Sequence, residues 1–291
     1  MAWWLWLGLA ACSLALAGFG LRTTGSWRWA ARTRALTREL EAHRVDDPLR
    51  PGFPARFDSR ELRGLPAPVQ RYFRAVLTEG QPFVSSAAIG MKGTFNMATR
   101  SEHWQPFTSR QRIITRRPGF LWDARISMAP GVTACVVDSY VAGQGTLHAA
   151  LLGLYTVARV HGDGEIARGE FMRFAAEAAW YPTSLLPSQG VRWEAIDETS
   201  ALAFFADDSL ALSLLFRFSQ AGLIESARAE ARGSLVGNTL ILMPWECSLS
   251  DYRMRNGILV PLCGEAAWIR PEGRQPYFRG TVTSLDYEFA T

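Results

Sequence analysis

Glu170, Arg173 and Glu177 are the best polar constellation in the chain. Their spacing of three and four residues puts them on one face of a helix. Two carboxylates with a guanidinium between them could act in a cleft as an acid–base pair with a charge clamp. The same spacing is common on ion-paired helix surfaces, and a solvated face is the plainer alternative. Trp122, Asp123 and Arg125 form a second group. On a strand, Asp123 and Arg125 share one face and Trp122 takes the other. There Arg125 could hold a carboxylate or phosphate, or merely pair with Asp123 on the sheet surface. Trp180, Tyr181 and Trp193 are large rings suited to lining an apolar pocket, although such residues more often fill a core.

Around these residues the familiar catalytic signatures are missing. There is no G-x-S-x-G nucleophile elbow, no P-loop and no dinucleotide fingerprint. Gly143-Gln144-Gly145 starts like a G-x-G turn but has no third glycine in place. The four cysteines, Cys12, Cys135, Cys247 and Cys263, lack CxxC spacing. His43, His103, His148 and His161 show no ligand spacing, so neither a metal nor another cofactor is expected. A net charge of +4 over 291 residues is too small to argue for nucleic acid. Cys247 and Cys263 flank Asn256-Gly257 at offsets that could place them near one another across a hairpin.

The elements that must position these residues begin with an apolar run. No charge occurs from Trp3 to Leu21, close to the ~20 residues that cross a bilayer as a helix. Trp3, Trp4 and Trp6 lie at one end, and Trp27 and Trp29 lie past the other, as in interfacial aromatic belts. An uncleaved anchor fits best. A cleaved signal with Ala15-Leu16-Ala17 as its site, or a lipobox at Leu9-Ala10-Ala11-Cys12, would need a basic residue before the run, and none is there. Arg22, Arg28, Arg32, Arg34 and Arg38 follow on what should be a solvated juxtamembrane helix able to meet anionic headgroups. Positive charge translocates poorly, which favours a cytoplasmic domain on a single-pass bacterial inner-membrane protein.

Pro48, Pro51, Gly52 and Pro54 mark a linker, and Pro68 opens a short amphipathic helix over 69–77. From Phe83 the texture is that of strands. Segments 87–97, 107–115, 120–128, 132–141, 191–197, 201–206, 223–232, 245–252, 258–269 and 278–289 are expected to pair antiparallel through short turns. Leu210, Leu212, Leu214, Phe216 and Phe218 alternate at period two, the clearest half-buried strand. Its neighbours Arg228, Glu230 and Arg232 alternate with alanines and should face water. One helix interrupts the strands, from Asp163 or Gly164 to Trp180, where Pro182 stops it. Phe174, Leu212, Leu214 and Phe216 are expected to be buried together.

The segments LPAPVQRYF from Leu65, PGFLWDARI from Pro118, RFAAEAAWYPTSLLPS from Arg173 and GVRWE from Gly190 resemble a bacterial family known only as a domain of unknown function. The resemblance spans roughly 65–291 and implies no reaction. The order of strands and helix is also similar to the lipoprotein-carrier fold, an unclosed β-barrel over a helix, which implies an apolar ligand such as an acyl chain.

The expected fold is therefore α+β and mainly antiparallel: a curled sheet or unclosed half-barrel with one covering helix, plus an N-terminal transmembrane helix. Residues 1–21 form the anchor, 22–64 a juxtamembrane basic helix and linker, and 65–291 the β-rich domain. The function expected is a membrane-tethered binding module with an apolar pocket for a lipid or acyl ligand, its partners being that ligand and the bilayer. The alternatives are an enzyme using Glu170, Glu177 or Asp123, and a structural or assembly protein. A cavity that buries the carboxylates and raises their pKa values separates these readings.

Overall fold

A computed structural model describes residues 3–44, 56–97, 102–236 and 239–290. The linker prolines Pro48, Pro51 and Pro54 lie outside the described residues. Helix α1 runs from Trp3 to Ala42 and α2 from Ala67 to Val76. Six strands follow: β1 Val84–Asn96, β2 Trp104–Ile114, β3 Gly119–Ala129, β4 Val132–Val141, β5 Gln144–Leu151 and β6 Tyr155–Gly162. Helix α3, Glu165–Ala176, continues into short 3-10 turns. Then come β7 Arg192–Ala195, β8 Ser200–Asp207, β9 Leu210–Phe218, β10 Ile224–Val236, β11 Thr239–Arg255, β12 Ile258–Arg270 and β13 Gly273–Phe289.

All thirteen strands form one antiparallel, unclosed sheet in the order β6-β5-β4-β3-β2-β1-β13-β12-β11-β10-β9-β8-β7. β4 and β10 are seven places apart in that order. In a flat sheet they would be about 34 Å apart at ~4.8 Å per strand. Yet α3, only about 10 Å across, reaches both, with Arg173 on Asp138 of β4 and Glu170 beside Arg232 of β10. Tyr140 of β4 also donates its hydroxyl to Asp207 of β8 at 2.6 Å. The sheet must therefore roll around α3, as strand twist allows.

Phe174, Leu212, Leu214 and Phe216 share the main core inside this roll, as the alternation predicts. Trp180 and Tyr181 end α3 inside it. Trp180 donates to the Pro261 carbonyl at 2.8 Å, and Tyr181 donates to the Phe174 carbonyl at 2.6 Å. The periodicity missed β5 and β6. The outer face of β5 is covered by α1, so His148 and Ala150 are buried there and polar–apolar alternation is lost.

α1 also differs from expectation. It is not a solvated helix past the apolar run, because Trp29 and Leu40 are fully buried against the outer face of the sheet. Trp29 stacks on His148 with ring centroids 5.2 Å apart and donates Nε1 to Asp123 at 2.9 Å. It is thus a packing residue rather than part of an interfacial belt. Gly25 makes the approach feasible: a Cβ there would lie 1.9 Å from the Leu152 carbonyl oxygen. At the far end Glu41 pairs with Arg112 at 2.6 Å. Burying Trp29 and Leu40 contributes roughly 1.5–3 kcal/mol each.

The cysteine expectation fails on register. Cys247 opposes Ala266 while Cys263 opposes Ser250, so the two are displaced along the hairpin and both are free. Cys247 faces inward, and burial pushes its thiol up to about 12.

Candidate functional site

Between α3 and the inner face of the sheet lies a cavity of about 880 Å³. That is large enough for a small organic ligand or an acyl chain. Trp122, Trp180, Trp245, Trp268 and Phe278 supply much of its apolar wall. Gly264 keeps the wall thin at Trp180, since a Cβ there would meet the indole at 3.3 Å.

Glu170, Arg173 and Glu177 all line this cavity, along one face of α3 and its 3-10 extension. Arg173 is the hub. It donates Nη1 to Asp138 at 2.9 Å and Nε to Glu177 at 2.7 Å. Its guanidinium carbon sits 4.8 Å from the Trp122 ring centroid and 5.1 Å from that of Phe120. Gln111 donates to the other Glu177 oxygen at 2.6 Å. Burial works against the Arg173 charge, but Glu177 and Asp138 outweigh it and hold its pKa above the ordinary value.

Glu170 is not so well served. Its nearest cation is Arg232, at 3.9 Å, and its Oε2 has no partner. Burial, with the Asp138 charge nearby, pushes its carboxyl up to about 8, so at neutral pH it is mostly the neutral acid. Burial likewise raises Asp138, against the pull of Arg173. Arg232 lies over Trp245 at 4.5 Å and leaves its Nη1 without a partner.

Arg232 corrects the expectation that it faces water. A register shift between Ala229 and Arg232 against β11 inserts an extra residue and flips the faces. Arg228 and Glu230 remain paired outside, while Arg232 turns inward. Asp138 and Arg232 were both missed in the sequence. Asp138 left one signal, a lone carboxylate inside the apolar strand Val136-Val137-Asp138-Ser139-Tyr140. The bulge left none.

Four expected site residues are not at the cavity. Asp123 and Arg125 pair with one another on the outer face, beneath Trp29 of α1. Strand alternation sends them there, opposite to Trp122. Tyr181 is in the core below α3, and Trp193 packs on Phe216 at 5.2 Å with its Nε1 on the Leu185 carbonyl. No group of three His, Cys, Asp or Glu side chains among the described residues could hold a metal ion.

Residues 63–287 match a protein family described as being of unknown function, DUF6920. The chain belongs to that family. The match covers α2, α3 and the sheet up to the last two residues of β13, and begins after α1. No curated protein matches the chain. Among solved structures it is similar to a LolA superfamily protein from Nitrosomonas europaea, with 8% identity and a TM-score of 0.40 over 76% of this chain and 92% of that one. A β-barrel-like protein of another family of unknown function, from Brucella abortus, matches with 9% identity and a TM-score of 0.24 over 71% of this chain and 99% of that one. A porin-like protein from Bacteroides uniformis matches with 9% identity and a TM-score of 0.24 over 71% and 96%. Likenesses this distant carry no activity or ligand across to the family member described here.

Proposed function

We propose that the chain is a membrane-tethered binding module whose cavity takes an amphipathic ligand with an acyl chain. One observation carries this reading. The cavity joins aromatic walls to polar atoms that are buried and unpartnered, Glu170 Oε2, Asp138 Oδ1 and Arg232 Nη1. A buried polar atom without a partner costs about 1–3 kcal/mol. A ligand whose headgroup accepts from Arg232 and from protonated Glu170 and donates to Asp138 removes that cost, while its chain lies against the tryptophans. A purely structural role gives such a cavity no purpose.

Native mass spectrometry of the detergent-purified full chain is expected to show a co-purified lipid. Ala266 lines the cavity and is buried, so Ala266→Trp should obstruct part of it and lower the bound mass or its occupancy. An identical lipid load on wild type and variant, or none on either, overturns the proposal. The raised pKa of Glu170 favours one second reading, acid–base chemistry on the bound ligand. Glu170→Gln separates the two. A binding role keeps the same ligand mass, because an amide replaces a neutral acid. A catalytic role accumulates a new mass, the unconverted substrate.

The tether is Trp3–Leu21, within a helix long and apolar enough to cross a membrane or to serve as a signal sequence. The Arg-rich flank favours a cytoplasmic domain. An engineered cysteine at exposed Met254 should then resist an impermeant thiol reagent in intact cells and react after permeabilisation. Reaction in intact cells would put the domain outside.

A further inference from the structure

α1 crosses the outer face of the sheet from one end to the other. Gly25 touches Leu152 and Gly153 in the β5–β6 turn, Trp29 meets the middle of β3 and β5, and Leu40 meets Gly119 at the start of β3. The helix is unbroken from Trp3, so its apolar part projects beyond the β5–β6 turn. From Leu21, the last residue of the apolar run, to Gly25 is about 6 Å along the axis. The β5–β6 turn is therefore about one helical turn from the edge of the apolar segment.

Strand alternation sends five other turns toward the same end of the sheet, those after Asn96, Ala129, Asp207, Val236 and Arg270. The one after Asp207 leaves this rim with the roll of the sheet, since Asp208 meets Arg117 of the β2–β3 turn at 3.4 Å. Beyond α1, seven large hydrophobic residues are exposed among the described residues. Five of them, Met97, Tyr155, Val157, Ile241 and Leu242, lie at or next to these turns. Only Ile196 and Met254 sit at the opposite end. The cavity lining reaches the same rim through Met97, Ser234 and Arg270. Arg22, Trp27 and Arg28 are exposed on the adjoining part of α1, the residue types of a membrane interface.

We propose that this rim of turns rests on the bilayer that α1 spans, so that the cavity opens onto the membrane surface and exchanges its lipid there directly. The proposal rests on reading Trp3–Leu21 as a span and the cavity as a lipid site. An unbroken helix clamped along the sheet holds the domain upright at a set height, which a flexible tether would not. The exposed apolar side chains concentrated on this rim find a place in the interfacial layer, where they have no partner in water.

The test uses the full chain with Cys12→Ala and Cys263→Ser, leaving only the buried Cys135 and Cys247. Single cysteines at Val157, Leu242 or Met254 carry a nitrobenzoxadiazole dye. The protein is placed in phosphatidylcholine–phosphatidylglycerol vesicles with doxyl-labelled lipid as quencher. Labels at Val157 and Leu242 are expected to be quenched at least about twofold more than the label at Met254, because interfacial contact reaches only ~5–10 Å in depth. Equal quenching at all three, or stronger quenching at Met254, overturns the proposal. Flotation and native mass spectrometry on the same samples separate the causes. A chain that does not float with vesicles lacks the span, and the orientation fails with it. A chain that floats and holds lipid but shows no rim quenching refutes the orientation alone.

Discussion

Arg173→Met is expected to destabilise the domain by about 3–5 kcal/mol, the cost of leaving a buried ion pair without one of its charges. Arg173 neutralises two carboxylates, Asp138 at 2.9 Å and Glu177 at 2.7 Å. The side chains are only 15% and 11% exposed, so water cannot replace the guanidinium. Methionine keeps the stem against Phe120 and Trp122 but leaves both carboxylates to repel one another. For a domain of this size the midpoint of thermal unfolding should fall by roughly 6–20 °C, at 2–4 °C per kcal/mol. Arg173→Lys keeps the charge but loses the fork, so its loss should be smaller. Adding Asp138→Asn to Arg173→Met should recover part of the stability. Thermal unfolding of the four proteins at pH 7 checks this. An unchanged midpoint for Arg173→Met would mean that the network is solvated and contributes nothing.

That network shows how far the sequence could be read. The helix face of Glu170, Arg173 and Glu177 was visible because helical spacing is a local property. Whether it met water or a cavity was not, because the answer depends on β4 and β10, seven places apart in the sheet. Most strands were legible from alternation and turn residues, since those strands bury one face and wet the other. β5 was not, because α1 covers its wet face. The docking of α1 had left a mark: Gly25, Trp29, Leu36 and Leu40 recur at spacings of four, seven and four. Arginines between them drew attention to charge rather than to the stripe. Arg232 was lost for a different reason. A one-residue bulge reverses every facing beyond it, and no residue between Ala229 and Arg232 is a glycine or proline that would mark it.

Glu170 should make the domain less stable as pH rises. Its carboxyl titrates at about 8 in the folded chain, against an ordinary value of 4.5. Between those limits the native state holds a proton that the unfolded state has released. Unfolding is therefore favoured by raising the pH, with stability greatest below about 4.5, falling through the interval and levelling off above about 8. At ~1.4 kcal/mol per pKa unit the total change is a few kcal/mol. Four groups face this carboxyl: Asp138 on β4, Arg173 on α3, Glu177 on the 3-10 turn that continues it, and Arg232 on β10. Asp138 is raised as well and adds to the slope in the same sense, so the contribution of Glu170 is best isolated by difference. Glu170→Gln is neutral at every pH. The variant should match wild type near pH 5 and exceed it by a few kcal/mol at pH 9, where the wild-type carboxylate is charged, buried and only weakly paired. Urea unfolding of both proteins from pH 5 to 9 measures this. A stability difference that stays constant across the range would show that Glu170 is ionised throughout, and would remove the neutral acid on which headgroup binding depends. If the difference grows as expected, lipid affinity should fall as pH rises through about 8, where the folded carboxyl ionises, because an ionised Glu170 can no longer donate to the headgroup and repels an anionic one.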